Sequence, residues 1–194
     1  HTLSSGPGGY ARGAGLAPDM LVVGKAVAGG MPTAVWGMTP ALADRYLAAD
    51  ASRPSGHSGM GTTLSANPMQ FACLVATLSE VMTDAAHAAM ARGAARLADG
   101  LSASIARHGA PWHLARVGAR VEVICAPGPL RNGAEAAAAH VPRLEAAINL
   151  ALINRGCLIA PFHNMMLVSP VTTKRQIDRL VAAFDEVLAE LLST

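Results

Sequence analysis

The sequence has little charge and few cysteines, and it lacks long apolar runs. Charged residues make up 14% of its 194 positions and the net charge is +2, which gives no reason to expect binding to nucleic acid or to an acidic membrane. The three cysteines are odd in number and far apart, which favours reduced thiols over a disulfide framework or a metal site. No uncharged stretch reaches the ~18–20 apolar residues of a membrane-spanning helix. We therefore expect a cytoplasmic protein without metal, membrane or nucleic acid.

Apolar residues are plentiful, and in the first third of the chain their spacing predicts short strands. They make up 52% of the chain, enough to bury a sizeable core and to exclude intrinsic disorder. In the first third, short apolar runs at 20–23 and 33–38 alternate with glycine-rich segments, and residues 4–17 read as a loop. The run at 20–23 is typical of a strand buried on both faces, as in a parallel sheet. We expect part of a parallel α/β layer here.

The remaining chain predicts longer helices and a few strands. Asn67 and Pro68 mark the start of one helix, and Thr173 to Gln176 form a capping-box pattern that opens the last one. Further helices are expected over 39–49, 85–108 and 142–154, and strands over 117–126, 157–159 and 165–169. The second half therefore resembles a smaller α+β unit.

Lys25 is the residue most clearly suited to a chemical role. The chain has only two lysines, and Lys174 lies in the first turn of an exposed helix, where a solvated surface charge suffices. Lys25 follows an apolar strand end and is flanked by small residues, with no carboxylate nearby in sequence. Removing such an amine from water favours its uncharged, nucleophilic form. An ordinary lysine at a strand end is the alternative.

Two motifs give the chain a resemblance to a known family. Residues 18–32, PDMLVVGKAVAGGMP, resemble the cofactor-lysine motif of class III (ω-type) pyridoxal-phosphate aminotransferases, which include glutamate-1-semialdehyde aminomutase. Residues 61–68, GTTLSANP, resemble a second motif of that family. Residues 156–169 and 173–178 are similar to its C-terminal strands and last helix. The family's ring-stacking aromatic residue and its pyridine-pairing aspartate precede the matching segment, so the resemblance is to the C-terminal half of a family chain.

The resemblance implies a fold and a domain division. The fold class is α/β, a fold-type-I pyridoxal-phosphate transferase, represented by the C-terminal part of the large parallel-sheet domain and an α+β small domain. Residues 1–68 would belong to the large domain, 69–100 would form connecting helices, and 101–194 would form the small domain.

The resemblance also implies roles for particular residues. Lys25 would form a Schiff base with pyridoxal 5'-phosphate and then shuttle a proton. Thr63 would hydrogen-bond the cofactor phosphate across the interface of a homodimer with shared active sites, and Thr62 would add its backbone N–H. A helix-approach cap is the alternative role for Thr63.

Substrate recognition is less clearly marked. Relatives use an arginine of the small domain to bind a carboxylate, but residues 160–166 contain none, and Arg120 is the nearest candidate. His163 and Asn164 are further candidates for hydrogen bonds to a substrate carboxylate. The alternatives are a solvent-facing Arg120 paired with Glu122 and structural roles for the other two.

The implied reaction is amino transfer between an amino acid or amine and an oxo acid or aldehyde, both small molecules. One alternative is a 2,1-aminomutase of the glutamate-1-semialdehyde type. A second, from a different class, is a non-catalytic dimerisation module.

Overall fold

The computed structural model describes residues 3–61, 63–161 and 163–193, which form two compact units. The first unit comprises Leu3 and Pro7–Asp84. The second comprises Ser4–Gly6 and the chain from Ala85 onward. The two units meet in sequence inside the segment 69–100 that we expect to connect the domains, and the exact domain boundaries stay a prediction.

In the first unit, the helices that begin at Pro40 and Pro68 start where proline and cap residues predict. The helices of this unit are α1 (Gly9–Gly13), α2 (Pro40–Ala51) and α3 (Pro68–Ala76), with a 3-10 turn over Lys25–Ala28 and a π-helical turn over Thr77–Val81. The backbone N–H of Met69 donates to Asn67 Oδ1 at 2.9 Å, which confirms Asn67 as the cap of α3. The prediction of a loop throughout 4–17 is wrong, because α1 lies within it.

The first unit contains a two-stranded sheet. Strands β1 (Met20–Val23) and β2 (Val35–Met38) occur as predicted, but they pair antiparallel, with Met20 opposite Met38. The expectation that β1 is buried on both faces is wrong for this chain, since Leu21 is 40% and Val22 59% exposed. The connection between the strands lacks the long crossover that parallel pairing of these two strands requires.

The second unit packs helices against a three-stranded antiparallel sheet. Its helices are α4 (Asp84–Arg107), α5 (Gly133–Ala138), α6 (Pro142–Asn154) and α7 (Lys174–Leu192). Its strands β3 (His113–Val117), β4 (Arg120–Ile124) and β5 (Met165–Leu167) lie in the order β3-β4-β5. The expected strand over 117–126 is therefore a hairpin that begins earlier, and the expected strand over 157–159 is not formed.

The core of the second unit lies between one face of this sheet and the helices. Its fully buried side chains come from α4, β4, α6 and α7: Leu97, Leu101, Val121, Ile148, Leu152, Phe184 and Leu188. The predicted capping box of α7 is present, with Thr173 N–H donating to Gln176 Oε1 at 2.8 Å. Within the described ranges, no helix is long and apolar enough to cross a membrane.

Candidate functional site

Lys25 lies directly after β1, as the first residue of the 3-10 turn. Its φ of 58° is left-handed, a conformation that costs a residue with a Cβ about 1–2 kcal/mol. Val27 and Ala28, two and three residues later, are 1% and 2% exposed and anchor this turn. Strained residues held by buried neighbours cluster at functional sites. The backbone conformation therefore marks Lys25 as a position under special constraint.

The Lys25 side chain is exposed, and it makes no hydrogen bond or ion pair with any described residue. The expectation that its own neighbours remove the amine from water is wrong for this chain. Its flanking residues, Gly24 and Ala26, are too small to cover a four-carbon side chain. The amine is consequently accessible to a ligand.

Glycines complete the turn that follows Lys25. Gly29 has a φ of 63°, and a Cβ at this position would lie 3.0 Å from Thr77 Oγ1. Gly30 has a φ of 106°, which side chains rarely adopt. Glycine is therefore required at position 29 because the π-helical turn lies so close to it. At position 30 glycine is required because of the positive backbone φ angle.

Thr63 is exposed in the turn that precedes α3. Because Asn67 caps α3, the alternative role of Thr63 as the helix cap is not observed. Thr62, the other residue expected at the phosphate, lies outside the described residues. Lys25 and Thr63 both belong to the first unit.

The candidate substrate residues belong to the second unit. Arg120 is half-buried on β4, and its Nη1 lies 3.8 Å from the sulfur of Met165. Among the described residues it forms no ion pair, so the alternative pairing with Glu122 is not observed. Glu122 Oε1 lies instead 3.9 Å from His163 Nδ1. A half-buried guanidinium without a carboxylate is suited to an acidic ligand.

His163 and Asn164 occupy consecutive left-handed positions before β5, with φ values of 58° and 43°. The His163 side chain is 55% exposed. Asn164 is 1% exposed, and its Nδ2 has no hydrogen-bond partner among the described residues. The adjacent residues His163 and Asn164 therefore differ in burial, the first being exposed and the second buried. Their shared role in binding a substrate carboxylate stays a prediction.

Two residues that the sequence analysis missed lie beside His163. The His140 ring centroid is 5.4 Å from that of His163, and His140 Nδ1 lies 2.6 Å from Glu145 Oε1. The N–H of Val141 donates to the same carboxylate oxygen at 3.0 Å. No pattern in the sequence joins His140 to His163, because the contact depends on how the α5–α6 connection folds over the sheet.

These groups line an open cavity of about 350 Å³, whose apolar wall includes Leu130 and Ala136.

The negative charge of Glu145 also acts electrostatically on the thiol of Cys125. Burial, and to a lesser extent this charge, raises the pKa of the Cys125 thiol to about 12. Cys125 is therefore a protonated thiol at neutral pH, unsuited to nucleophilic chemistry.

Comparison with known proteins defines the class of protein. Residues 6–188 match the family Aminotransferase class-III, and the chain belongs to that family. This confirms the resemblance that the lysine motif and the GTTLSANP motif predict.

The similar proteins include aminomutases and an aminotransferase. The chain is 33% identical over 177 residues to the glutamate-1-semialdehyde 2,1-aminomutase of Desulfosudis oleivorans, covering 91% of this chain and 40% of that protein. The crystal structure of a glutamate-1-semialdehyde aminomutase from Pseudomonas aeruginosa PAO1 superimposes with a TM-score of 0.92 at 42% identity, over 99% of this chain and 43% of that one. A lysine-to-alanine variant of that enzyme has been solved in complex with PMP.

A more distant structure, the β-phenylalanine aminotransferase from Variovorax paradoxus, has a TM-score of 0.82 at 27% identity, covering 97% of this chain and 42% of that one. These neighbours confirm the predicted fold-type-I class. The chain spans about two fifths of the length of the relatives it matches.

Proposed function

We propose that the whole protein is a pyridoxal-phosphate-dependent aminotransferase. It transfers an amino group between an amino acid or amine and an oxo acid or aldehyde. The observation that carries this proposal is Lys25, whose unpaired amine is presented by a strained left-handed residue at the end of an apolar strand, within a motif of the class-III family.

The described residues fit the cofactor chemically. An aldehyde cofactor needs a primary amine as its covalent partner, and the exposed Lys25 supplies one. A phosphate needs hydroxyl and amide donors, and the exposed Thr63 supplies a hydroxyl. When bound, the cofactor supplies an electron sink for the carbon that loses its proton. The PMP complex of the similar Pseudomonas enzyme supports the same cofactor.

Each residue then has a distinct task. Lys25 would hold the cofactor through Nζ, and its amine would accept and return the substrate proton as a general base. Thr63 holds the phosphate. Arg120 binds a substrate carboxylate, since its guanidinium is half-buried and has no acidic partner among the described residues. Hydrogen bonds from His163 and Asn164 to the same carboxylate remain a prediction.

We further propose that the working protein is a cytoplasmic homodimer in which Thr63 serves the partner's site. Apolar side chains on the first unit support an interface, since Trp36 and Phe71 are each 50% and Val75 63% exposed.

A second candidate function is a 2,1-aminomutase, which moves the amino group within one molecule. The aminomutases from Desulfosudis oleivorans and Pseudomonas aeruginosa, at 33% and 42% identity, favour it. Turnover of an amino aldehyde without any added oxo acid indicates the aminomutase. Strict dependence on an added amino acceptor indicates the aminotransferase.

The two lysines provide a matched test of the cofactor site. We expect borohydride reduction of the pyridoxal-phosphate-loaded protein, followed by peptide mapping, to label Lys25. Lys25→Ala should abolish both the label and turnover, whereas Lys174→Ala, which changes the only other lysine, should retain both. A label on Lys174, or on neither lysine, contradicts the proposal and favours the non-catalytic dimerisation module.

A further inference from the structure

The turn that carries Lys25 is held by side chains of α3 and of the π-helical turn that follows α3. We propose that Gln70, on α3, is a positioning residue that fixes the conformation of the Lys25 turn. The inference rests on the proposed role of Lys25 in holding the cofactor, and it adds a residue to that role. Gln70 lies outside both the cofactor-lysine motif and the GTTLSANP motif.

The first argument is a hydrogen bond between distant segments. Gln70 Nε2 donates to the carbonyl oxygen of Pro32 at 3.0 Å, although the two residues are 38 positions apart in the sequence. Pro32 lies between the Lys25 turn and β2. Gln70 lies in the first turn of α3, whose start is fixed by the Asn67 cap. The bond therefore ties the segment that follows Lys25 to a regular helix.

The second argument is a contact at the other end of α3. The Lys25–Ala28 turn contacts both α3 and the π-helical turn. A Cβ at Gly29 would lie 3.0 Å from Thr77 Oγ1, so the backbone at Gly29 lies directly against this buried side chain. The Thr77 carbonyl accepts from the N–H of Met82 at 2.9 Å, which is the i→i+5 bond of a π-helical turn. Such turns occur frequently at functional sites. The segment after Lys25 is thus held at Gly29 and again at Pro32.

The third argument is the strained backbone that these contacts hold. Lys25 has a left-handed φ of 58°, which a lysine keeps only where the surrounding structure fixes it. Inside the turn, the N–H groups of Gly29 and Met31 each donate to a backbone carbonyl at 3.1 Å. Each such bond contributes little by itself. Loss of the Gln70 bond should therefore loosen the turn and let Lys25 relax.

Amide hydrogen exchange of the full-length protein, measured by mass spectrometry on peptides that cover 25–32, tests this role without the cofactor. Gln70→Glu keeps the length of the side chain but replaces the donor with a carboxylate, and Gln70→Met lacks a donor without adding charge. In both variants the Gly29 and Met31 amides should exchange about fivefold faster, as expected for the loss of one hydrogen bond. If Gln70→Glu fails to fold, Gln70→Met decides.

Kinetics of the loaded protein test whether the looser turn displaces the amine. A displaced Lys25 should lower kcat about fivefold in both variants. KM should not change, because Arg120, the proposed carboxylate ligand, lies in the second unit and is not altered. Borohydride reduction should still label Lys25. Faster exchange with an unchanged kcat overturns the positioning role.

Gln176→Met is the matched control. Gln176 is the only other glutamine, and its side chain likewise bonds a backbone group, the Thr173 N–H, at 2.8 Å. This variant should leave kcat and the exchange of the Gly29 and Met31 amides unchanged. Unchanged exchange in Gln70→Met, or an equal rise in Gln176→Met, overturns the proposal. If the unchanged protein is not labelled at Lys25, the proposed function fails, and the exchange measurement alone decides whether Gln70 holds the turn.

Discussion

The turn between β3 and β4 provides a sharp test of the second unit. Gly118 has a φ of 58°, and a Cβ there would collide with the carbonyl oxygen of Ser4 and lie 2.7 Å from Ser5 Cα. The N–H of Ala119 donates to Ser4 O at 2.7 Å. Residues 4–6 therefore belong to the second unit because they pack on this turn. Gly118→Ala should break that packing.

The cost can be separated into two parts. A left-handed alanine costs about 1–2 kcal/mol wherever it occurs. Displacing residues 4–6 also removes the hydrogen bond from Ala119, which contributes about 1 kcal/mol. We expect Gly118→Ala to lower the free energy of unfolding by about 2–3 kcal/mol in total.

Gly109→Ala measures the cost of a left-handed alanine by itself. Gly109 has a φ of 63°, but a Cβ there would meet nothing within 4 Å. Urea unfolding followed by circular dichroism should therefore show Gly118→Ala to be less stable than Gly109→Ala by about 1 kcal/mol. Faster amide exchange at Ala119 should appear only in the Gly118 variant. Equal stability of the two variants would refute the packing of residues 4–6 on the turn.

Three further predictions concern single side chains. Thr63→Ala should weaken cofactor binding about tenfold, by loss of a hydrogen bond to a charged phosphate, and Thr63→Ser should restore it; unchanged affinity by absorbance titration argues against the role. Thr173→Ala should lower the free energy of unfolding by about 1 kcal/mol through loss of the α7 cap, while Thr173→Ser should not. Iodoacetamide at pH 8 should alkylate Cys125 slowly in the folded protein and rapidly in urea, because the folded-state pKa is about 12; equal rates by mass spectrometry contradict this.

Local patterns in the sequence determined much of the fold. Helix starts at Pro40, Pro68 and Pro142, and the caps Asn67 and Thr173, occur where the residue types predict, because a cap depends on contacts only three or so residues apart. The cofactor-lysine motif is likewise contiguous, so family and fold class followed from the sequence alone. The comparisons confirm both.

Pairings between distant segments were decided only by the tertiary structure. The sequence predicted β1 and β2 but not that they pair antiparallel with each other, since strand pairing depends on the path of the connection. It placed Glu122 beside Arg120, whereas the left-handed loop before β5 brings His163 to that carboxylate. The contact between His140 and His163 joins segments with no common motif. A functional motif within one continuous segment can be predicted from the sequence. A site formed by distant segments cannot, because it depends on backbone turns that bring distant side chains together.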